Sequence, residues 1–138
     1  MERSGFDGTD PTKPIEKICQ EFSSFYSTII DKIFAGIMQT TVKCGKCKHA
    51  SATFNPFMTQ SLQHKGTLMK CLNEFYQENS IDDYYTCESE KCGKKTKAKV
   101  RHLLVKLPKV LVFHIKRFDS NFRKIDKDTS YTEVIDVN

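Results

Sequence analysis

Two short cysteine pairs constrain this chain more than any other feature. Cys44 and Cys47 bracket Gly45-Lys46, and Cys87 and Cys92 bracket Glu88-Ser89-Glu90-Lys91. Each pair falls on a turn, so two thiolates can converge from one knuckle. Two knuckles then supply the four sulfurs of a tetrahedral metal site. Gly45 and Gly93 suit turns that need a positive φ. Lys46, Lys91 and Lys94 favour the thiolate forms. The second pair encloses four residues, wider than the commonest two but within the range for such sites. The competing reading is that these are ordinary buried thiols, but two close pairs, each on a turn, point to zinc. A closed site of four cysteines is structural, because it leaves no coordination position open for substrate.

The remaining composition narrows the setting. The 138 residues fit one domain or one portion of a larger one. The first eleven residues hold no apolar core of the kind a secretory signal needs. No apolar run approaches the length of a membrane span. A reducing compartment, cytoplasm or nucleus, is therefore expected, which turns six cysteines away from a disulfide framework. The charge of +5, from 22 Lys+Arg against 17 Asp+Glu, suits an acidic partner without requiring one.

Hydrophobic spacing predicts the elements. Residues 1–13 read as a flexible lead. Ile15, Ile18, Phe22, Phe25, Ile29, Ile33 and Ile37 recur in steps of three and four, which predicts one helix over 14–37. Thr40 to Lys43 and the alternating Ala50, Ala52 and Phe54 predict a hairpin with the first knuckle at its tip. Thr67 should cap a short helix presenting Leu68, Cys71, Leu72 and Phe75 on one face. Asn79 to Asp83 reads as a turn. Lys95, Lys97, Lys99 and Arg101 alternate with Thr96, Ala98 and Val100, which predicts a strand with one charged face. Val110 to Phe118 reads as a strand at the centre of a sheet, and Tyr131 to Val137 as one more strand.

The other candidate residues favour plain roles. Cys19 and Cys71 fall on apolar helix faces and read as core thiols. His49 could replace a cysteine ligand but reads as a solvent-facing strand residue, and His114 as a core histidine. His64 and His102 have no constellation around them. The basic stripe from Lys91 to Arg101 reads as a solvated strand face, so a nucleic-acid partner is not expected. Glu78, Asp82, Asp83, Glu88 and Glu90 read as a solvated acidic loop around the second knuckle. No nucleophile–base pair and no phosphate-cradling loop occurs.

The order of these features resembles one family. Ile33-Phe34-Ala35-Gly36 leads to Cys44-Gly45-Lys46-Cys47, followed by Asn55-Pro56-Phe57 and Ser61-Leu62. Tyr84-Tyr85-Thr86-Cys87 with Cys92 comes next, then Leu107-Pro108-Lys109-Val110-Leu111 running into His114-Ile115-Lys116-Arg117-Phe118. This run, over residues 31–138, is similar to the fingers and palm of the ubiquitin-specific proteases, the papain-like deubiquitinases. Residues 29–57 and 113–117 are similar to the histone-deubiquitinating branch of that family.

The resemblance implies an α+β fold. An N-terminal helix leads into zinc-ribbon-like fingers and antiparallel palm strands, over 38–138, of a hand without its thumb. It implies a structural zinc on Cys44, Cys47, Cys87 and Cys92, and ubiquitin as partner, with other subunits of a deubiquitinating complex. Phe57, Glu78, Asp82, Asp83 and Tyr84 would lie on the ubiquitin-facing side. The family's catalytic Cys and His boxes have no match among these residues, so no catalytic residue is assigned and the 138-residue chain by itself is expected to be inactive. The alternatives are a non-catalytic ubiquitin-binding scaffold and a zinc-ribbon nucleic-acid binder.

Overall fold

The structure, a computed structural model, describes residues 14–93 and 95–135, with the backbone alone for 82–84. The expected lead over 1–13 lies outside the described residues, as does Lys94.

The first apolar run folds as two helices rather than one. α1 spans Ile15–Phe25 and α2 spans Ile29–Phe34. The break has a local cause. Ser23 and Ser24 hydroxyls donate to the Cys19 and Glu21 carbonyls, competing with the helical ladder. Thr28 then starts a new helix with a capping box: its side chain accepts from the Asp31 amide, and the Asp31 carboxylate accepts from the Thr28 amide at 3.0 Å. The spacing Thr28-x-x-Asp31 carried this signal, and a continuous apolar period masked it. Gly36 is the first residue of β1, Gly36–Cys44, so Ile37 belongs to a strand. A side chain at Gly36 would meet the Lys106 carbonyl at 2.6 Å and the Phe57 ring at 2.8 Å.

β1 turns back through the first knuckle into β2, Ala50–Phe57, as expected. β3, Thr59–Gln63, follows, and then α3, Leu68–Tyr76, whose Thr67 cap accepts from the Lys70 amide. The expected turn over 79–83 is instead part of a strand: β4 spans Asn79–Thr86. Its polar side chains hid it, and the backbone is recruited by pairing with β5, Lys95–Lys106. The main sheet has the order β2-β1-β5-β4, antiparallel throughout. Pro56, which lacks an amide donor, sits on the edge strand β2, where one flank needs no ladder.

The second apolar run is also reassigned. β6 spans only Val112–Lys116 and, among the described residues, pairs with β3 alone, in parallel rather than antiparallel. The inner strands of the main sheet are β1 and β5. The apolar run misleads because Val110 and Leu111 precede the strand, whereas within it Phe113 and Ile115 face the core and His114 faces out. His114 is thus exposed rather than a core histidine, and it shares a hydrogen bond with the Ser61 hydroxyl at 3.3 Å. No strand occurs over 131–135; the tail contributes a bridge between Thr67 and Ser130, and residues 136–138 lie outside the described residues.

Two apolar clusters hold these layers. Ile18 and Phe22 of α1 pack with Ala35, Ile37 and Phe54, and Cys19, Tyr26 and Val105 lean against them. Leu62, Cys71 and Leu72 form the second, between α3 and the β3–β6 pair. Side chains alternate along β1, so Ile37, Gln39, Thr41 and Lys43 share one face while Thr40, Val42 and Cys44 share the other. α1 therefore covers the Ile37 end of the first face. α3 reaches the opposite face, where Phe75 stacks on His102 with ring centroids 4.8 Å apart. α1 and α3 sit away from the knuckles, so no helix among the described residues covers that end of the sheet.

Candidate metal centre

The knuckles meet because of strand order. The first closes the β1–β2 hairpin and the second joins β4 to β5. β5 lies between β1 and β4, so both turns project from the same end of the sheet. Cys44 pairs across from Ala98, and the Gly45 amide donates to the Lys97 carbonyl at 2.9 Å. The knuckle backbone satisfies itself: the Cys44 amide donates to the His49 carbonyl, the Lys48 amide to Cys44, and the Cys92 and Gly93 amides to Ser89.

The positive φ expected of both glycines occurs at one of them. Gly93 has φ 49°, but in the first knuckle the left-handed residue is Lys48, at 63°. Gly45 is needed for a different reason. A Cβ there would lie 2.7 Å from the Lys97 carbonyl oxygen, so only glycine lets the knuckle dock on β5.

The sulfurs of Cys44, Cys47, Cys87 and Cys92 all lie within 4.8 Å of one another, with Cys47 and Cys87 at 3.5 Å. The edge of a zinc–tetrathiolate tetrahedron is about 3.8 Å, given a Zn–S bond of about 2.3 Å. The donor set, its count and its compactness fit a single soft or borderline cation. Cys44 and Cys87 are buried, Cys92 half-buried and Cys47 exposed.

The thiols divide their protons unequally. Amide hydrogen bonding from Cys47, helped by Lys46 against the cost of burial, brings Cys44 down to about 6. At Cys87 the Ser89 amide favours the thiolate, but burial and the three neighbouring thiols outweigh it and push the group up to about 12. A divalent ion shared by sulfurs this close would supply the compensating charge that the thiolate forms need.

The other expected positions are scattered. Cys71 is buried in the second core and Cys19 half-buried beside the first, both as core thiols. His49 is exposed and serves the centre only through its carbonyl. Glu78 sits just before β4 on the face of Lys99 and Lys43, and the hydrogen bond from Lys99 holds its carboxyl below the usual range. Phe57 is opposite Gly36 on β2, on the other face and near the other end of the sheet. Asp82, Asp83 and Tyr84 lie on β4, and their side chains are outside the description. The structure therefore does not gather Phe57 with Glu78 on one side.

Residues 14–138 match the family described as UCH, ubiquitin carboxyl-terminal hydrolase. The chain belongs to this family. Ubiquitin carboxyl-terminal hydrolase 23 of Arabidopsis thaliana is 34 % identical over 120 residues, covering 83 % of this chain and 14 % of its own length. Ubiquitin carboxyl-terminal hydrolase 3 of Homo sapiens is 33 % identical over 123 residues, covering 78 % of this chain and 24 % of its own. Among solved structures, the SAGA DUB module of Ubp8, Sgf11, Sus1 and Sgf73 bound to monoubiquitin is similar at a TM-score of 0.65 and 26 % identity. That match covers 85 % of this chain and 30 % of the matched one. The same module bound to ubiquitin aldehyde matches in fold at a TM-score of 0.63. This member of the ubiquitin carboxyl-terminal hydrolase family thus spans under a third of the length of the relatives named. The resemblance to ubiquitin-specific proteases is borne out, and with it the mixed helix and antiparallel-sheet architecture. No helix among the described residues is long and apolar enough to cross a membrane.

Proposed function

We propose that this chain forms the fingers and part of the palm of a ubiquitin-specific protease. In that reading Cys44, Cys47, Cys87 and Cys92 hold a structural zinc, and the sheet takes part in gripping ubiquitin. The observation that carries it is the four-sulfur cluster at the open end of an antiparallel sheet, in a chain of this family. Bound there, zinc supplies no chemistry beyond charge compensation and cross-linking. The chain's residues do the rest: β5 docks the first knuckle through Lys97, Ser89 shapes the second, and together they fix two hairpins at one point.

Ubiquitin contact is assigned to two separate patches, Phe57 on β2 and Glu78, Asp82, Asp83 and Tyr84 along β4. The likeness to a ubiquitin-bound module of several subunits supports ubiquitin, and further subunits, as partners. None of the 138 residues is assigned to hydrolysis. Two cysteines remain beyond the cluster, and both are packed into apolar cores.

Metal analysis of the purified chain tests the centre. One zinc per chain is expected, with loss in Cys44→Ser/Cys87→Ser; a metal-free wild type that keeps its fold would refute it. Titration into labelled ubiquitin, with Phe57→Ala and Glu78→Ala compared separately, tests the contact, and an unperturbed ubiquitin spectrum would remove it. The chain is expected to leave a fluorogenic ubiquitin C-terminal substrate intact, and turnover that survives purification would overturn that assignment.

A further inference from the structure

The uncovered end of the main sheet carries a feature the centre does not use. Lys43 of β1, Lys48 of the first knuckle and Lys97 and Lys99 of β5 line one cleft of about 430 Å³, together with Glu78 and Ser80. Lys43 is directly opposite Lys99, and Thr41 opposite Arg101, so Arg101 extends the same face by one row. All five cations are exposed. Glu78 is engaged by Lys99 and also feels the fields of Lys43 and Arg101, which places these cations around a single carboxylate. Among the described residues, Lys43, Lys48, Lys97 and Arg101 have no carboxylate within salt-bridge distance. Four thiolates sharing one divalent ion would carry two negative charges. Among the described residues that line the cleft, Glu78 is the one carboxylate against four lysines.

The sequence shows only the stripe on β5, which by itself is an ordinary solvated face. The fold adds Lys43 and Lys48 from other segments and turns a line into a two-dimensional patch. Along β5 its charges are about 6.6–6.8 Å apart, and neighbouring strands are about 4.8 Å apart. We propose that this face binds the phosphate backbone of double-stranded nucleic acid, independently of base sequence and in competition with the ubiquitin contact assigned to Glu78 in the same cleft.

Two observations select that occupant. Four of the five cations belong to the inner strands β1 and β5, each of which has a neighbouring strand on both flanks, and Lys48 belongs to the first knuckle. An acidic peptide could not add there as a strand, which is how extended peptides gain most of their affinity on sheets. The neighbouring described side chains of the face, Thr41, Ala50, Ala52 and Ser80, include no aromatic ring. Among the described residues this face therefore offers no ring for the base stacking on which single-strand binders rely. A stiff polyanion laid across the face needs neither.

The test is fluorescence anisotropy of a labelled mixed-sequence 20-base-pair DNA duplex with the full chain, across salt concentrations. Four phosphate contacts give a slope of log K against log salt of about −3.6. Lys43→Glu/Lys97→Glu is expected to weaken binding at least tenfold and flatten the slope by about 2. Lys70→Glu/Lys127→Glu, the same charge change away from the patch, is expected to act far less. The milder Lys43→Gln/Lys97→Gln, which adds no negative charge, should flatten the slope as well, and gives the reading should the reversal disturb the fold. Absence of binding at low salt overturns the proposal, as does an equal effect of the control pair. Displacement of the duplex by poly-glutamate more readily than by unlabelled duplex at equal charge would also overturn it, assigning the face to an acidic protein.

Discussion

The Gly45 amide donates to the Lys97 carbonyl at 2.9 Å, and a Cβ on Gly45 would lie 2.7 Å from that same oxygen. This contact is the point at which the first knuckle is set against β5, and so against the second knuckle. Gly45→Ala must push the knuckle off the strand. It is expected to lower metal affinity by about tenfold or more, as loss of a supporting contact around ligands does. Gly93→Ala meets no atom within 4 Å and carries only the strain of its φ of 49°. It should cost about 1–2 kcal/mol in stability and leave affinity nearer wild type. Competition against a chromogenic chelator, paired with thermal denaturation, separates the two effects.

Metal removal should loosen one end of the molecule rather than all of it. The helices and both apolar clusters lie away from the knuckles. Chelation is expected to expose amides near Cys44 and Cys87 to hydrogen exchange while those of Ile18 and Leu72 stay protected. At free zinc of about 100 Kd the loss on chelation is expected to be about 2.7 kcal/mol, roughly 10 °C in Tm. Because protons compete for the sulfurs, affinity should fall as pH falls. Cys87, pushed up to about 12, yields its proton to a metal less readily than Cys44, brought down to about 6.

His102 gives the fold a separate acid sensitivity. Burial beside Phe75 lowers its pKa below the ordinary value of 6.5, and the Thr40 hydroxyl shares a hydrogen bond with its Nδ1 at 3.1 Å. The folded state therefore binds the proton less readily than the unfolded chain. The stability this confers is present above the unfolded pKa and is lost as pH drops from there through the folded value. Urea denaturation at pH 7.5 and 5 should show a loss for wild type that is smaller in His102→Phe, which keeps the ring stack.

The α1–α2 break predicts a graded pair of stability losses. Thr28→Ala removes the capping box and should cost about 1 kcal/mol. Ile18→Ala, at a site with no solvent exposure in the first cluster, should cost about 2–5 kcal/mol. Denaturant unfolding monitored by far-UV circular dichroism checks both.

Several local features were legible because they rest on neighbours in sequence. The cysteine spacing marked the four residues whose sulfurs cluster, Thr67 marked the α3 cap, and the alternation of Lys95 to Arg101 marked β5. The errors arose where distant pairing overrides local pattern. β4 looks like a polar turn until β5 pairs with it, and β6 looks central, yet among the described residues it pairs with β3 alone. Thr28 and Asp31 were a local signal that the longer apolar period concealed.

The sequence by itself determined which residues could bind a metal, because ligand chemistry is fixed by side-chain type and turn spacing. The tertiary structure decided that the four sulfurs meet, because only the placement of β5 between β1 and β4 sends both knuckles to one end. It also decided that Lys43 and Lys48 join the stripe on β5. Charge acts through space, and the distance between segments is set by strand register rather than by position along the chain.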